Sequence, residues 1–400
     1  MTENRIYEVA GVRLAAVEAN ICYPNRLDLV LIEIAESASV AGVFTQNAFC
    51  AAPVIVAKKH LRVAASRYFL INTGNANAGT GQAGIDAALR CCQLVSKAAT
   101  VQTNSVLPFS TGIIGEALPV DKIETGLPEA YENLSMGNWA AAAQGILTTD
   151  TRPKLASVQV EIDGEAVTVT GMAKGSGMIK PDMATMLAFV FTDARISQAV
   201  LEQKLRRVVS HSFNRITVDG DTSTNDCCML VASGVSKVQI DAGDSVGSQD
   251  FDRALEQVFE ALATGLIRDA EGATKFITIR VREGASAAEC LQVAYTVAES
   301  PLVKTAFFAS DPNWGRILAA VGRSGLQDLK LDSINIALGD VALISKGELD
   351  SDYSEARGQA EMDKQDITID ICLARGQCME TVWTSDLSHD YVKINAEYRT

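Results

Sequence analysis

The chain has 400 residues, 48% of them hydrophobic and 21% charged, with only 9 prolines. This is the composition of a folded protein, and the length exceeds one ordinary core, so two subdomains sharing one interface are expected. Asp and Glu (49) outnumber Lys and Arg (35), a formal charge of −14, which argues against sequence-independent binding to nucleic acid or anionic lipid.

No stretch approaches the roughly 20 apolar residues of a membrane span, and the first residues show no basic-then-apolar leader pattern. Nine cysteines are scattered along the chain, two pairs of them adjacent (Cys91-Cys92 and Cys227-Cys228), with no CxxC. An odd count without a leader predicts reduced, mostly buried thiols and a cytoplasmic location.

In chain order, β-branched runs predict strands at residues 28–35, 53–57 and 68–71. Gly79-Thr-Gly81-Gln-Ala-Gly84 then matches G-x-G-x-x-G ahead of a helix at 85–96. A dinucleotide site needs its glycines directly after the strand and an acidic residue about 20 positions on. Residues 73–78 intervene here and no carboxylate stands near Val101, so nicotinamide binding is not expected, although the helix start would still suit an anion or polar ligand. Residues 110–115 (STGIIG) read as a polar turn between strands that would also offer a hydroxyl and a backbone N–H. A helix at 138–147 precedes strands at 157–162 and 166–170, which Asp163-Gly164 joins as a tight hairpin. Helices follow at 197–210, with Ser197 as N-cap, at 252–267 and at 285–298. The pattern is an α/β protein of layered type.

Glycine-rich residues 171–185 lead into the apolar run 186–191, which places Thr185 at the start of a buried strand. Three histidines exist, His60, His211 and His389, and none adjoins a candidate nucleophile. Gly175-Ser176-Gly177 lacks the G-x-S-x-G spacing, and no cluster has zinc-ligand spacing. The run from Asp219 to Asp226 resembles a calcium loop, but Thr224 stands where glycine is needed and Leu230 where the bidentate Glu is needed. It reads as a polar turn feeding a strand, so no metal is expected.

A hydroxyl nucleophile without histidine needs another base. A threonine at a chain start supplies its own α-amino group, which titrates at about 8 when unperturbed. An internal threonine becomes terminal when its hydroxyl attacks the preceding carbonyl and water hydrolyses the resulting ester. Small Ala184 and the upstream glycines suit such scission at Ala184-Thr185, although glycines of this kind are also common in inert loops. The tetrahedral intermediate would need donors for its oxyanion.

Seven separated motifs together resemble ornithine acetyltransferase, also called glutamate N-acetyltransferase, of arginine biosynthesis: NTGNANAGTG (72–81), STGIIGE (110–116), TTDTRPK (148–154), KGSGMIKPDMATMLAF (174–189), TVDGDTSTND (217–226), DPNWGRILAA (311–320) and YVKINAEYRT (391–400). The resemblance spans essentially the whole chain. It implies a layered, self-processing architecture with an N-terminal threonine. An α chain of 1–184 and a β chain of 185–400 would stay associated, as a tetramer of two α and two β chains. Thr185 would be nucleophile and acetyl carrier, with Thr111 and Gly112 as the oxyanion-hole pair. Thr148, Lys174, Thr185, Glu271, Asn395 and Thr400 would bind the amino acid, Lys174 suiting a carboxylate and Glu271 an ammonium group. The implied reaction moves acetyl from N2-acetylornithine to glutamate by a ping-pong cycle, without a cofactor. The resemblance further implies a bifunctional enzyme that also uses acetyl-CoA to make N-acetylglutamate, with a monofunctional ornithine acetyltransferase as an alternative. A self-processing aminopeptidase or amidase that passes the acyl group to water stands as a second alternative, and a nucleotide-binding α/β protein built on residues 79–84 as another.

Overall fold

A computed structural model of the chain describes residues 5–180, 186–243 and 245–397. The elements run β1 (Val12–Val17), β2 (Leu29–Ile34), β3 (Ser39–Phe44), α1 (Ala52–Val63), β4 (Tyr68–Asn75), α2 (Gly81–Ala99), β5 (Val106–Ile113), α3 (Val120–Glu132), α4 (Trp139–Gly145), β6 (Lys154–Ile162), β7 (Glu165–Lys174), β8 (Leu187–Thr192), β9 (Arg195–Ile196), α5 (Gln198–His211), β10 (Ile216–Thr217), β11 (Cys227–Ala232), β12 (Gln239–Ile240) and α6 (Val246–Arg268). They continue as β13 (Phe276–Gly284), α7 (Ala287–Ala298), α8 (Pro301–Phe308), α9 (Trp314–Gly322), β14 (Asn335–Leu338), β15 (Val341–Ser345), β16 (Glu348–Leu349), α10 (Glu355–Met362), β17 (Asp366–Cys372), β18 (Cys378–Ser385) and α11 (His389–Ala396). No helix among the described residues is long and apolar enough to cross a membrane.

Two compact units emerge, neither continuous in sequence. The first comprises residues 1–175, 180–214 and 222–266, and the second 176–179, 215–221 and 267–400. The first is layered as the sequence predicts. A four-stranded sheet, β1-β2-β4-β5, and a five-stranded sheet, β3-β11-β8-β7-β6, share a core into which alternate residues point. Val12, Leu14, Val30, Ile32, Phe69 and Phe109 enter it from the first sheet, and Met172, Phe189, Phe191 and Met229 from the second. Phe109 and Phe189 meet edge-on at 5.1 Å across it, a favoured aromatic geometry. The outer face of the four-stranded sheet packs on α2 and α3 through Leu29, Leu31, Leu70, Cys92, Val95 and Leu127. On the outer face of the five-stranded sheet, Gly171 leaves no spare room beside Val190 and the α6 residues Leu262 and Val258. Strands β8 and β11 are buried throughout, which explains their unbroken apolar sequence.

The second unit holds a seven-stranded mixed sheet, β10-β18-β13-β17-β14-β15-β16. Its β13 and β17 residues Ile277, Ile279, Val281, Ile367, Ile369 and Ile371 pack with α7, α8 and α9 through Val293, Val297, Phe307 and Ile317.

Most predicted elements form. The Asp163-Gly164 turn has φ of 53° and 79°, the doubly left-handed turn that suits a two-residue hairpin. Residues 53–57, however, lie in helix α1 and not in a strand. Pro53 occupies the first helical turn, where its missing N–H is harmless, and burial of Pro53, Val54, Val56, Ala57 and His60 with Ile55 exposed follows a helical period. Ser197 takes the N-cap position of α5 without capping through its side chain.

Candidate active site

In the first unit, the polar residues singled out by sequence gather at the ends of β5 and β7. Residues 110–115 are not a simple turn: β5 continues through Ile113, parallel to β4, and the ladder slips register at Gly74/Asn75. Gly112 sits at that slip with φ +132°, and a Cβ there would lie 2.3 Å from the carbonyl carbon of Gly74. Only glycine fits. Buried amides fix the slip from both sides. Asn225 Nδ2 donates to Ala76 O (2.6 Å) and Ser110 O (2.9 Å), while the Ser110 hydroxyl donates to Asn72 Oδ1 (2.5 Å).

Thr111 is buried, and its Oγ1 accepts from Lys174 Nζ at 2.9 Å. A hydroxyl that accepts from an ammonium keeps its own proton available and polarised for donation elsewhere. Lys174 ends β7, opposite Leu187 of β8. Below it lies Asp150, which the sequence reading did not single out. Asp150 pairs with Lys154, accepts the Gly175 N–H at 2.7 Å and accepts the Thr148 N–H at 3.0 Å. Burial alone would raise its carboxyl, but Lys174, Lys154 and the Gly175 N–H outweigh burial and hold it at about 2. Thr148 and Gly175, the residue after Lys174, are thus tied together through one carboxylate. The signal was present in the motif at 148–154, where Asp150 and Lys154 stand four apart.

Ala184 and Thr185 lie outside the described residues. The described chain resumes at Met186, whose carbonyl accepts from the Cys227 N–H at 2.9 Å. Leu187 pairs in parallel with Cys227 of β11 and antiparallel with Lys174 of β7. Asp226, next to Cys227, is buried with its carboxyl pushed well above the ordinary value by desolvation.

In the second unit, Glu271 and Asn395 are brought into contact: Asn395 Nδ2 donates to Glu271 Oε2 at 2.7 Å. Glu271 is buried and Asn395, on α11, is exposed. Gly272, at φ +67°, allows the turn to pass beneath α11, since a Cβ there would lie 2.5 Å from Ser388 Oγ. Asp386 secures the same turn by accepting from Thr274 N (2.8 Å), Thr274 Oγ1 (2.6 Å) and Lys275 N (2.9 Å). Thr400 lies outside the described residues.

The histidines take no part in either cluster. His60 Nδ1 meets Val106 O at 2.8 Å, and the His389 ring packs at a tilt against Phe308, centroids 5.5 Å apart. The G-x-G-x-x-G segment is organised from within: Asn77 Nδ2 donates to Gly84 O (2.9 Å) and Asn77 Oδ1 accepts from the Thr80 hydroxyl (2.9 Å). Among the described residues, no group of three or more His, Cys, Asp or Glu could hold a metal ion.

The class defined here is a layered α/β protein with a lysine-bound threonine and a glycine-only strand end gathered at one edge of its central sheets. More specifically, the chain belongs to the ArgJ family, which it matches over residues 13–400. It is 54% identical over 398 residues to the arginine biosynthesis bifunctional protein ArgJ of Pseudomonas fluorescens, covering 99% of this chain and 98% of that one. It is 53% identical over 400 residues to the protein of the same name from Methylococcus capsulatus, covering 100% and 98%. Among solved structures, the arginine biosynthesis bifunctional protein of Bacillus halodurans matches with a TM-score of 0.50 at 39% identity, over 52% of this chain and 98% of that chain.

Proposed function

We propose that the chain is an acetyltransferase of arginine biosynthesis that moves acetyl from N2-acetylornithine to glutamate and, as a bifunctional enzyme, also accepts acetyl from acetyl-CoA. One observation carries this reading: identity of 54% along 99% of the chain to a relative named as the bifunctional protein of that pathway.

The chain cuts itself between Ala184 and Thr185, and the new α-amino group of Thr185 serves as base for its own hydroxyl. The length relation to the Bacillus halodurans chain, matched over 98% of itself but 52% of this one, supports a protein divided once near its middle. Thr185 Oγ attacks the acetyl carbonyl of acetylornithine. Thr111 and Gly112 stabilise the oxyanion, with Lys174 polarising the Thr111 hydroxyl through its 2.9 Å hydrogen bond. Ornithine leaves, glutamate enters, and its amine takes the acetyl group from the threonine ester. Thr148, Lys174, Glu271, Asn395 and Thr400 bind the amino acid. Lys174 and Glu271 answer its carboxylate and its ammonium group. No cofactor is needed, because the ester itself stores the acetyl group. Nine free thiols suit a reducing cytoplasm, and the processed chains assemble as two α and two β.

Denaturing electrophoresis with mass spectrometry tests the scission. Wild-type protein should give chains 1–184 and 185–400, and Thr185→Ala a single inactive chain. Acetyl transfer from acetylornithine to glutamate tests the reaction, and N-acetylglutamate formed from acetyl-CoA and glutamate alone tests bifunctionality. An active protein with an intact Ala184–Thr185 bond would reject the mechanism. Acetate released without dependence on glutamate would point to a hydrolase.

A further inference from the structure

The second unit is built from residues 215–221 and 267–400, except for one short piece, Ser176–Ile179. Backbone groups of this piece bind it to that unit. The N–H groups of Met178 and Ile179 donate to the two carboxylate oxygens of Asp219, at 2.7 and 2.9 Å. Ile179 O accepts from Val218 N at 2.7 Å, and Ser176 O accepts from Glu271 N at 2.9 Å. Met178 has φ +54°, a left-handed conformation that costs a bulky residue energy unless its surroundings impose it. Packing of its side chain does not impose it, since Met178 is 43% exposed. Two successive N–H groups around a left-handed residue form an anion-binding concavity, and Asp219 fills this one. Asp219 is itself held by the Tyr391 hydroxyl (3.1 Å) and the Asp221 N–H (3.3 Å). Gly177 completes the strap, because a Cβ there would lie 2.5 Å from Glu271 Oε2.

We infer that Asp219 is a positioning residue for self-cleavage, acting through the backbone of Met178 and Ile179 to align the chain that leads to the Ala184–Thr185 bond. This rests on the self-processing reading above. In that step, Thr185 Oγ bonds to the Ala184 carbonyl carbon, the C–N bond breaks, and the hydroxyl proton ends on the departing amine. Water then hydrolyses the ester to the Ala184 carboxylate and the free hydroxyl. Such an attack needs near-contact geometry, and a misplacement of about 1 Å costs on the order of 10²-fold in rate. Ile179 stands five positions before Ala184 in the sequence, so the strap anchors the chain on the N-terminal side of the proposed scissile bond.

The test follows loss of the uncut 42.6 kDa chain with time in full-length variants. Asp219→Asn keeps the shape but turns a donor toward one of the two N–H groups, and should slow cleavage about 10²-fold. Asp219→Glu keeps the carboxylate and should recover cleavage to within about tenfold of wild type. Tyr391→Phe, which removes one support and spares the fold, should slow it a few-fold. Asp221→Asn, a neighbouring carboxylate that does not hold the strap by its side chain, should cut at the wild-type rate. Melting of the uncut Asp219→Asn chain should match that of uncut Thr185→Ala, which separates alignment from folding. Wild-type rates in Asp219→Asn, or equal slowing in Asp221→Asn, would overturn the role of Asp219 alone. An uncut wild-type chain would overturn the self-processing reading and this inference with it.

Discussion

At the scale of single residues, the site depends on two that tolerate little change. Gly112 combines φ +132° with a void too small for one carbon, Gly74 and Asn75 backbone atoms standing 2.3 and 2.6 Å from the would-be Cβ. Gly112→Ala should therefore cost about 2–6 kcal/mol in backbone strain and overpacking, seen as a lowered urea midpoint. Asp150 is the second. Its carboxylate and the Lys154 ammonium are both removed from water, so Asp150→Asn leaves a buried cation unmatched at a cost of about 3–5 kcal/mol. Because the folded carboxyl sits at about 2 against an ordinary 3.8, its stabilisation is complete above pH 3.8 and disappears as pH falls through 2. Unfolding measured from pH 5 to 2 should show wild type and variant converging. Asp28 and Asp193, which burial raises, are common to both proteins and drop out of the difference. Gly112 was legible in the sequence as part of a motif. Its steric necessity was not, because that comes from Gly74, 38 positions earlier.

At the scale of elements, the sequence reading succeeded where period and punctuation agreed, as in the 157–170 hairpin with its Asp-Gly turn. It failed at residues 53–57, where a five-residue apolar run fits either a strand or a helix and the buried flank of α1 decided. Capping shows the same division. Serines precede both α5 and α7, yet only the Ser286 side chain accepts from the third helical residue, Glu289 N, at 3.2 Å. Ser286→Ala should cost about 1 kcal/mol and Ser197→Ala close to nothing, a contrast that thermal melting of the two variants would show. Composition names the serine, but its rotamer is set by what surrounds it.

For the whole molecule, the proposed cut and the compact units divide the chain differently. Scission at 184/185 would leave β3, β6 and β7 on one chain and β8 and β11 on the other, yet the five-stranded sheet runs β3-β11-β8-β7-β6. Each β-chain strand then pairs with an α-chain strand over six residue pairs, and the shared core closes over both. The cut chains should co-elute on native size-exclusion chromatography and separate only in denaturant, because parting them would expose backbone ladders and buried apolar strands together. Separation of α and β chains in native buffer would contradict that interleaving.

The sequence by itself determined the layered α/β class, the family and the residue types of the chemistry, since apolar period, turn residues and motif order are local properties written along the chain. Tertiary structure alone decided that Lys174 bonds to Thr111, that Asp150 ties Thr148 to Gly175, that Glu271 meets Asn395, and that Asp219 holds Met178 and Ile179. Apart from the local Thr148–Asp150 bond, those contacts join positions from 25 to more than 100 residues apart, and their formation depends on which strand ends and turns the packed core brings level.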